Sequence, residues 1–372
     1  MTMLRSFVSC CCGLALALTG CTSNPVATSR TTIVPHVGHV FIIVLENQPF
    51  DTTFGAQSPA PYLAHELTAQ GALLRQYFGI GHLSLDNYIA LISGQAPNSA
   101  TQADCGVFSE FVPSQVALDA DGQLRGTGCV YPTSVKTLAD QLEAAGLDWK
   151  GYMEDMGKDP AREAAACGHA AIGTQDVTNR ATPKDQYADK HNPFVYFHSI
   201  IDDPPRCERH VVNLVGLTHD LQRVATTPNY AFITPSLCHD GHDAPCKNGE
   251  PGGLLSADAF LRDWVPRILN SPAFKQDGLL AITFDEGMHD STACCGERGL
   301  TDGPAPGLDG PGGGRIGAVL IGPSIKPGTV SDQPYNHYAL LRWTEDNFGL
   351  RHLGYAAAPR LATFGSDVFT NP

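Results

Sequence analysis

The sequence predicts a three-layer α/β/α sandwich with a mostly parallel central sheet. Three observations predict it. Continuous apolar, β-branched runs recur along the chain, as in strands buried on both faces. Stretches with helical apolar spacing lie between them. The alternation of the two is the pattern of α/β units, not of an all-helical or all-strand chain. With 372 residues, 42% hydrophobic and 17% charged, the chain can bury a real core. A disordered, collagen-like or coiled-coil protein is excluded by the same figures.

The clearest strand is His39–Leu45 (HVFIIVL). Similar runs stand at Leu279–Phe284 (LLAITF) and Ile316–Ile321 (IGAVLI), with weaker ones at Trp149–Met153 and Tyr230–Thr234. Among the helices, Ser134–Gly146 has a capping residue, apolar positions three and four apart, and a terminal Gly. Leu255–Leu269 starts near Ser256 and carries Phe260, Leu261, Trp264, Val265 and Ile268 on one stripe. His337–Gly349 is the last helix, and Leu85–Ile92 has helical spacing with Ser84 at its start. There is no internal repeat and no second linker, so residues 37–372 read as one large domain.

The amino terminus is a targeting segment and not part of the fold. Met1–Gly20 has one Arg, an apolar run and small residues, too short to span a membrane. Leu18-Thr19-Gly20-Cys21 resembles the bacterial lipoprotein cleavage box, in which Cys21 is lipidated. Residues 21–36 are then a Ser/Thr/Pro-rich tether, and the expected location is the cell envelope, anchored to a membrane surface. Cleavage a few residues later, as an ordinary signal peptide, is the alternative.

The cysteines agree with export. Twelve are present, and beyond Cys10, Cys11, Cys12 and Cys21 an even set of eight remains. In an oxidising compartment eight suggest up to four disulfides, with about 105 pairings open. Nearest-neighbour pairing gives 105–129, 167–207 and 238–246, leaving Cys294-Cys295 as a vicinal bridge or partly free. A zinc site is the rival reading, weakened by the absence of any CxxC spacing.

The net charge of −14 excludes a general nucleic-acid or anionic-membrane binder. No protein partner is implied. An acidic chain handles phosphorylated substrates only with a local cation, for which a bound metal is the obvious source. In such sheets the site lies beyond the carboxyl ends of the strands, and there the polar residues collect. The first strand ends in Glu46-Asn47, the Tyr230 strand is followed by Asp240-Gly241-His242-Asp243, and the Leu279 strand ends in Asp285-Glu286. One such carboxylate is commonly a turn former. Three convergent ones repel unless protonated or bridged by a cation, and oxygen donors with added His suit a divalent ion. Ser84, at a helix start, is either a plain N-cap or a hydroxyl facing a phosphate held by free backbone N–H groups.

These residues carry a resemblance. Glu46-Asn47-Gln48-Pro49-Phe50-Asp51 with Phe54-Gly55 resembles the opening motif of the bacterial phosphoesterase family, which contains acid phosphatases and phospholipases C and belongs to the alkaline phosphatase superfamily. It continues in order through His82-x-Ser84-x-x-Asn87-Tyr88, Leu138–Met156, Lys190-His191-Asn192-Pro193-Phe194, Asp240-x-His242-Asp243, Phe284-Asp285-Glu286 and Asn336-His337-Tyr338, ending in Glu345-x-x-x-Gly349-Leu350. The resemblance implies an alkaline-phosphatase-like fold and hydrolysis of phosphomonoesters through a phosphoserine on Ser84. Glu46, Asn47, Ser84, Asp285 and Glu286 would hold a divalent metal ion. His191 and His242 would line the phosphate pocket, and Asp240 and His337 fall where superfamily members hold a second metal. Two features depart from the pattern: Asp86, where related sequences often have Pro, and the Gly/Pro-rich stretch 291–314, a lid, a binding loop or a disordered segment. A phospholipase C-type phosphodiesterase and a non-catalytic surface lipoprotein are the alternative readings.

Overall fold

The computed structural model describes residues 35–300 and 303–370. The expected signal peptide over residues 1–20, the expected lipidation at Cys21 and most of the expected tether, as far as Val34, fall outside the described residues. No described helix is long and apolar enough to cross a membrane.

The eight strands of the main sheet are β1 (His39–Leu45), β2 (Ala72–Leu74), β3 (Trp149–Met153), β4 (Val211–Asn213), β5 (Tyr230–Thr234), β6 (Gly278–Phe284), β7 (Ala318–Ile321) and β8 (Thr329–Ser331). Their spatial order is β8-β2-β7-β6-β1-β5-β3-β4. Only β7 runs against the others, antiparallel to both β6 and β2. The apolar run at 316–321 is therefore a strand, but shorter than its hydrophobicity implies and reversed. Its direction follows from its connection: the described residues of 285–317 form no helix to carry the chain back to the far end of the sheet, so it returns from the same edge. β2, β4 and β8 are three residues each, too short to register as hydrophobic periods.

All seven residues of β1 and of β6 are buried, as expected of central strands covered on both faces. The register shows the two covers directly. Ile42 is paired with Phe232 of β5, so these two side chains share a face. Phe232 meets Tyr88 of helix α1 (Ser84–Ser93), with ring centroids 6.2 Å apart. Phe41, one residue earlier and so on the opposite face, meets Phe274, also at 6.2 Å, on a short helix at Pro272–Asp277. Helix α2 (Leu138–Ala144) and helix α4 (His337–Phe348) pack beside α1, and helix α3 (Gly253–Asn270) packs beside Pro272–Asp277. Three layers result.

Local chemistry sets the helix ends. α2 begins later than its apolar spacing implies, because Thr137 and Asp140 form a reciprocal capping box at that point. α1 ends at Gly94 in the left-handed region (φ 66°), where a Cβ would fall 2.2 Å from the Leu353 carbonyl oxygen. All eight described cysteines are disulfide-bonded, 105–129, 167–207, 238–246 and 294–295. No described thiolate is left for a zinc site.

Glu345 of α4 is fully buried, not on a solvated helix face as its Glu-Asp context suggests. One carboxylate oxygen accepts the Leu353 amide at 2.8 Å; the other has no partner. Burial pushes its pKa up to about 9, against the pull of the Leu353 amide. The folded state thus holds a proton that the unfolded chain releases near its ordinary 4.5. Stability from this group is complete below that value and is lost as pH rises toward 9. Glu345→Gln should match wild type below pH 4.5 and exceed it by a margin growing about 1.4 kcal/mol per pH unit above that, levelling off near pH 9. Thermal or urea unfolding across pH checks this, and a constant difference would contradict it.

Candidate active site

The register places the first two carboxylates side by side. Leu45 and Phe284 are paired at the ends of β1 and β6, so Glu46 and Asp285 leave adjacent strands together. The Asp285 amide donates to the Leu45 carbonyl at 2.8 Å, and the Glu46 amide to the Asp240 carbonyl at 2.8 Å. The three acids are thereby stitched main chain to main chain at one sheet edge. Glu46, Asp240 and Asp285 are each fully buried.

Ser84 is not the plain helix cap that its position allowed. It is the first residue of α1, not the residue before it, and its hydroxyl does not cap the helix. It donates instead to Glu46 Oε2 at 2.8 Å. One turn on, Tyr88 donates to Glu46 Oε1 at 2.6 Å; the i, i+4 spacing puts both hydroxyls on one helix face. Asn87 ties down the preceding loop. Its Oδ1 accepts the Ile80 and Gly81 amides, and its Nδ2 donates to the Gly81 and Leu83 carbonyls. Asp86, the departure from the family pattern, is buried beside Asn87, and burial holds its pKa well above the carboxylate range.

His191 lies between the acids. Its Nε2 is 3.2 Å from Glu46 Oε1 and its Nδ1 is 3.3 Å from Asp240 Oδ2, and its ring stacks on Tyr88. His242 stands next to it, with ring centroids 6.3 Å apart. The His242 amide donates to Asp240 Oδ1 at 2.7 Å, and its Nδ1 pairs with Asp243 at 2.9 Å. Asn47 (φ 59°) donates its amide to Asp285 Oδ1 at 2.8 Å.

Two residues stand apart. Glu286 faces His82, in contact with its Nδ1, rather than Glu46. His337 sits behind Asp285: its Nε2 is 2.7 Å from the Asp285 carbonyl oxygen and its Nδ1 is 3.2 Å from the Tyr77 hydroxyl. With both ring nitrogens engaged, His337 supports the strand end in this arrangement and offers no free ligand atom.

The electrostatics follow from burial. Desolvation, then the charges of Asp285 and Asp240, raise Glu46 well above its ordinary value. Desolvation pushes Asp240 up to about 8 and Asp285 up to about 6. Burial, with Lys190 and His242 nearby, lowers His191. Burial also pulls His242 down, but the Asp243 hydrogen bond and the Asp240 charge outweigh it and leave it raised.

The donor set fits a divalent cation. Asp240 Oδ2 and Asp285 Oδ2 are buried with no hydrogen-bond partner, and neither His191 nitrogen makes a well-aligned hydrogen bond. Unpaired oxygens of buried acids mark a place where a positive charge belongs. The Ser84 hydroxyl touches Glu46, His191 stands between Glu46 and Asp240, and Asp240 and Asp285 each keep a partnerless oxygen.

The sequence motifs contained further site residues that received no role. Tyr88 was signalled by its spacing from Ser84. Lys190, adjacent to His191, pairs with Asp104 at 2.8 Å, and Asp104 also accepts the Leu85 amide at the head of α1. Asp104 had no sequence signal, since it stands nineteen positions along the chain from the Leu85 amide that it accepts.

The chain is 26% identical over 317 residues to a probable acid phosphatase of Kluyveromyces lactis, covering 84% of this chain and 59% of that protein. It is 26% identical over 367 residues to a phosphatidylinositol-3-phosphatase of Mycobacterium tuberculosis, covering 95% and 94%. The chain spans a little over half the length of the fungal acid phosphatases it matches. A solved structure from the alkaline phosphatase superfamily, from Vibrio parahaemolyticus, is similar at 14% identity and a TM-score of 0.45, covering 86% of this chain and 68% of that one. Residues 57–351 match the phosphoesterase family model. The chain belongs to the phosphoesterase family.

Proposed function

We propose that this protein is an exported, lipid-anchored phosphomonoesterase of the acid phosphatase type, working through a phosphoserine on Ser84 with a divalent metal ion. The hydrogen bond from Ser84 to Glu46, in a pocket of partnerless buried carboxylate oxygens, carries the reading. The relatives' names, acid phosphatase and phosphatidylinositol-3-phosphatase, support phosphate esters as the substrate class.

In this reading Ser84 attacks phosphorus from the first turn of α1, its hydroxyl already on a carboxylate that can take the proton. The Oγ–P bond forms as the bond to the leaving oxygen breaks, and the Ser84 proton passes to the Glu46 oxygen that it already faces. His242, hydrogen-bonded through the other ring nitrogen to Asp243, is oriented to hand a proton to the departing alkoxide. Water then hydrolyses the phosphoserine, returning inorganic phosphate and the free hydroxyl. Asn47, Glu46, Asp285, Asp240 and Ser84 would hold the metal, with Glu286 reaching it only by leaving His82. When bound, a divalent ion neutralises the phosphoryl oxygens and lowers the serine pKa. Tyr88 fixes the Glu46 carboxylate so that its second oxygen stays on the serine. Exclusion of water from this buried set strengthens each contact.

Ser84→Ala and Asp285→Asn should each cut p-nitrophenyl phosphate turnover to below about one hundredth of wild type while leaving the unfolding midpoint near wild type. Acid-quenched wild type should carry one phosphoryl group by intact mass, mapped to Ser84; its absence during turnover would exclude the covalent route. Chelation followed by dialysis should abolish turnover, with recovery on adding a divalent ion. Full activity of chelated protein, shown metal-free by elemental analysis, would count against the metal.

A further inference from the structure

At the His242 side of the candidate site lies a cavity of about 330 Å³, lined by Asp104, Gln175, Asn179, Arg180, Lys190 and His242. It opens onto His242, the residue assigned to the leaving group, so it occupies the side of the site where the alcohol portion of a substrate departs. We propose that this cavity is a subsite for a second anionic group on the leaving portion of the substrate, a phosphate or a phosphodiester, with Arg180 as its specificity-determining residue. The inference rests on the phosphatase reading above and narrows its substrate class.

The charges in the cavity are unevenly committed. Lys190 is buried and paired with Asp104, whose other oxygen is taken by the Leu85 amide. Asp176, also on the wall, is buried and spends one oxygen on the Thr178 amide and hydroxyl at 2.8 and 2.7 Å. Arg180 is different. It is exposed on the cavity wall, and among the described residues no carboxylate lies within ion-pairing distance of its guanidinium.

Its backbone is nevertheless anchored to the site. The preceding residue, Asn179, donates through Nδ2 to the Asp104 carbonyl at 2.6 Å and accepts the Lys190 amide on Oδ1 at 3.0 Å. The loop bearing Arg180 is thus tied to the same two residues that flank His191 and α1. A guanidinium presents a planar fork of donors matched to two oxygens of a phosphate. On a chain of net charge −14, a substrate with two anionic groups is repelled at long range, so an uncommitted cation at the leaving-group side supplies selective attraction.

The test is steady-state kinetics of wild type, Arg180→Gln and Arg180→Lys on matched substrates. The soluble pair is fructose 1,6-bisphosphate against fructose 6-phosphate; the lipid pair is short-chain phosphatidylinositol 3-phosphate, below its micellar concentration, against inositol 3-phosphate. Within at least one pair, wild type should favour the doubly anionic member by about ten-fold in kcat/KM, expressed in KM. Arg180→Gln should reduce that ratio to about two-fold, and Arg180→Lys should keep part of it. A ratio lost only in the sugar pair assigns the second anion to a free phosphate; one lost only in the lipid pair assigns it to the diester. With p-nitrophenyl phosphate turned over normally, the absence of any preference in wild type, or a preference that Arg180→Gln leaves intact, overturns the subsite. Failure of wild type to hydrolyse p-nitrophenyl phosphate at any pH with divalent metals supplied overturns the phosphatase reading, and the subsite with it.

Discussion

Everything in this molecule is organised around three carboxylates held together where water cannot reach them. Glu46, Asp240 and Asp285 emerge from β1, β5 and β6, whose parallel pairing forces their ends to the same edge. Buried like charges repel strongly in a low dielectric, so a fold that keeps them adjacent must supply protons or a cation. Main-chain hydrogen bonds from Glu46 to Asp240 and from Asp285 to Leu45 prevent the group from relieving the strain by moving apart. The central strands, apolar along their whole length, provide the rigidity that this opposition requires.

The second feature follows from the first. A carboxylate that must stay in one orientation needs donors on both oxygens, and α1 provides them from a single face, Ser84 to one oxygen of Glu46 and Tyr88 to the other. A serine used this way is unavailable as a helix cap. The helix head is instead finished by Asp104, which accepts the Leu85 amide and carries Lys190 on its other oxygen. One acid thus links α1 to the turn bearing His191, and a basic residue enters the pocket already neutralised by a partner. The uncommitted positive charge is left to the periphery.

The parts of this arrangement that were legible in the sequence are those encoded locally. β1, β3, β5 and β6 announced themselves as apolar runs, and the acids at three strand ends could be listed as candidates because the carboxyl edge of a parallel sheet is where a site forms. Long-range matters were not legible. The reversal of β7 depended on the missing crossover in 285–317, and the three-residue strands carry too few side chains to show a period. The burial of Glu345 and the bridging by Asp104 depend on partners that only the folded chain brings near. The ordered motifs named His337 as a candidate second ligand; packing against Tyr77 and the Asp285 carbonyl turned it into a support.

The long loop after the acids illustrates why such a segment need not be helical or sheet-like to be structural. Gly313 takes an amide from Gly287 and gives its own to Gly79, while His82 donates its amide to Pro306. Gln102 reaches the Ala305 and Pro306 carbonyls from the other side. The segment therefore bridges the strand end bearing Asp285 to the turn that precedes Ser84. Glycine is required where the backbones approach: a Cβ on Gly313 would fall 2.6 Å from the Gly81 carbonyl oxygen. At the other end of the same stretch, Glu297 accepts from Asn336, the residue that caps α4. The loop thus ties the buried acids, the turn before Ser84 and the helix of His337 into one frame, and its Gly/Pro composition is the condition for passing between them without filling the site.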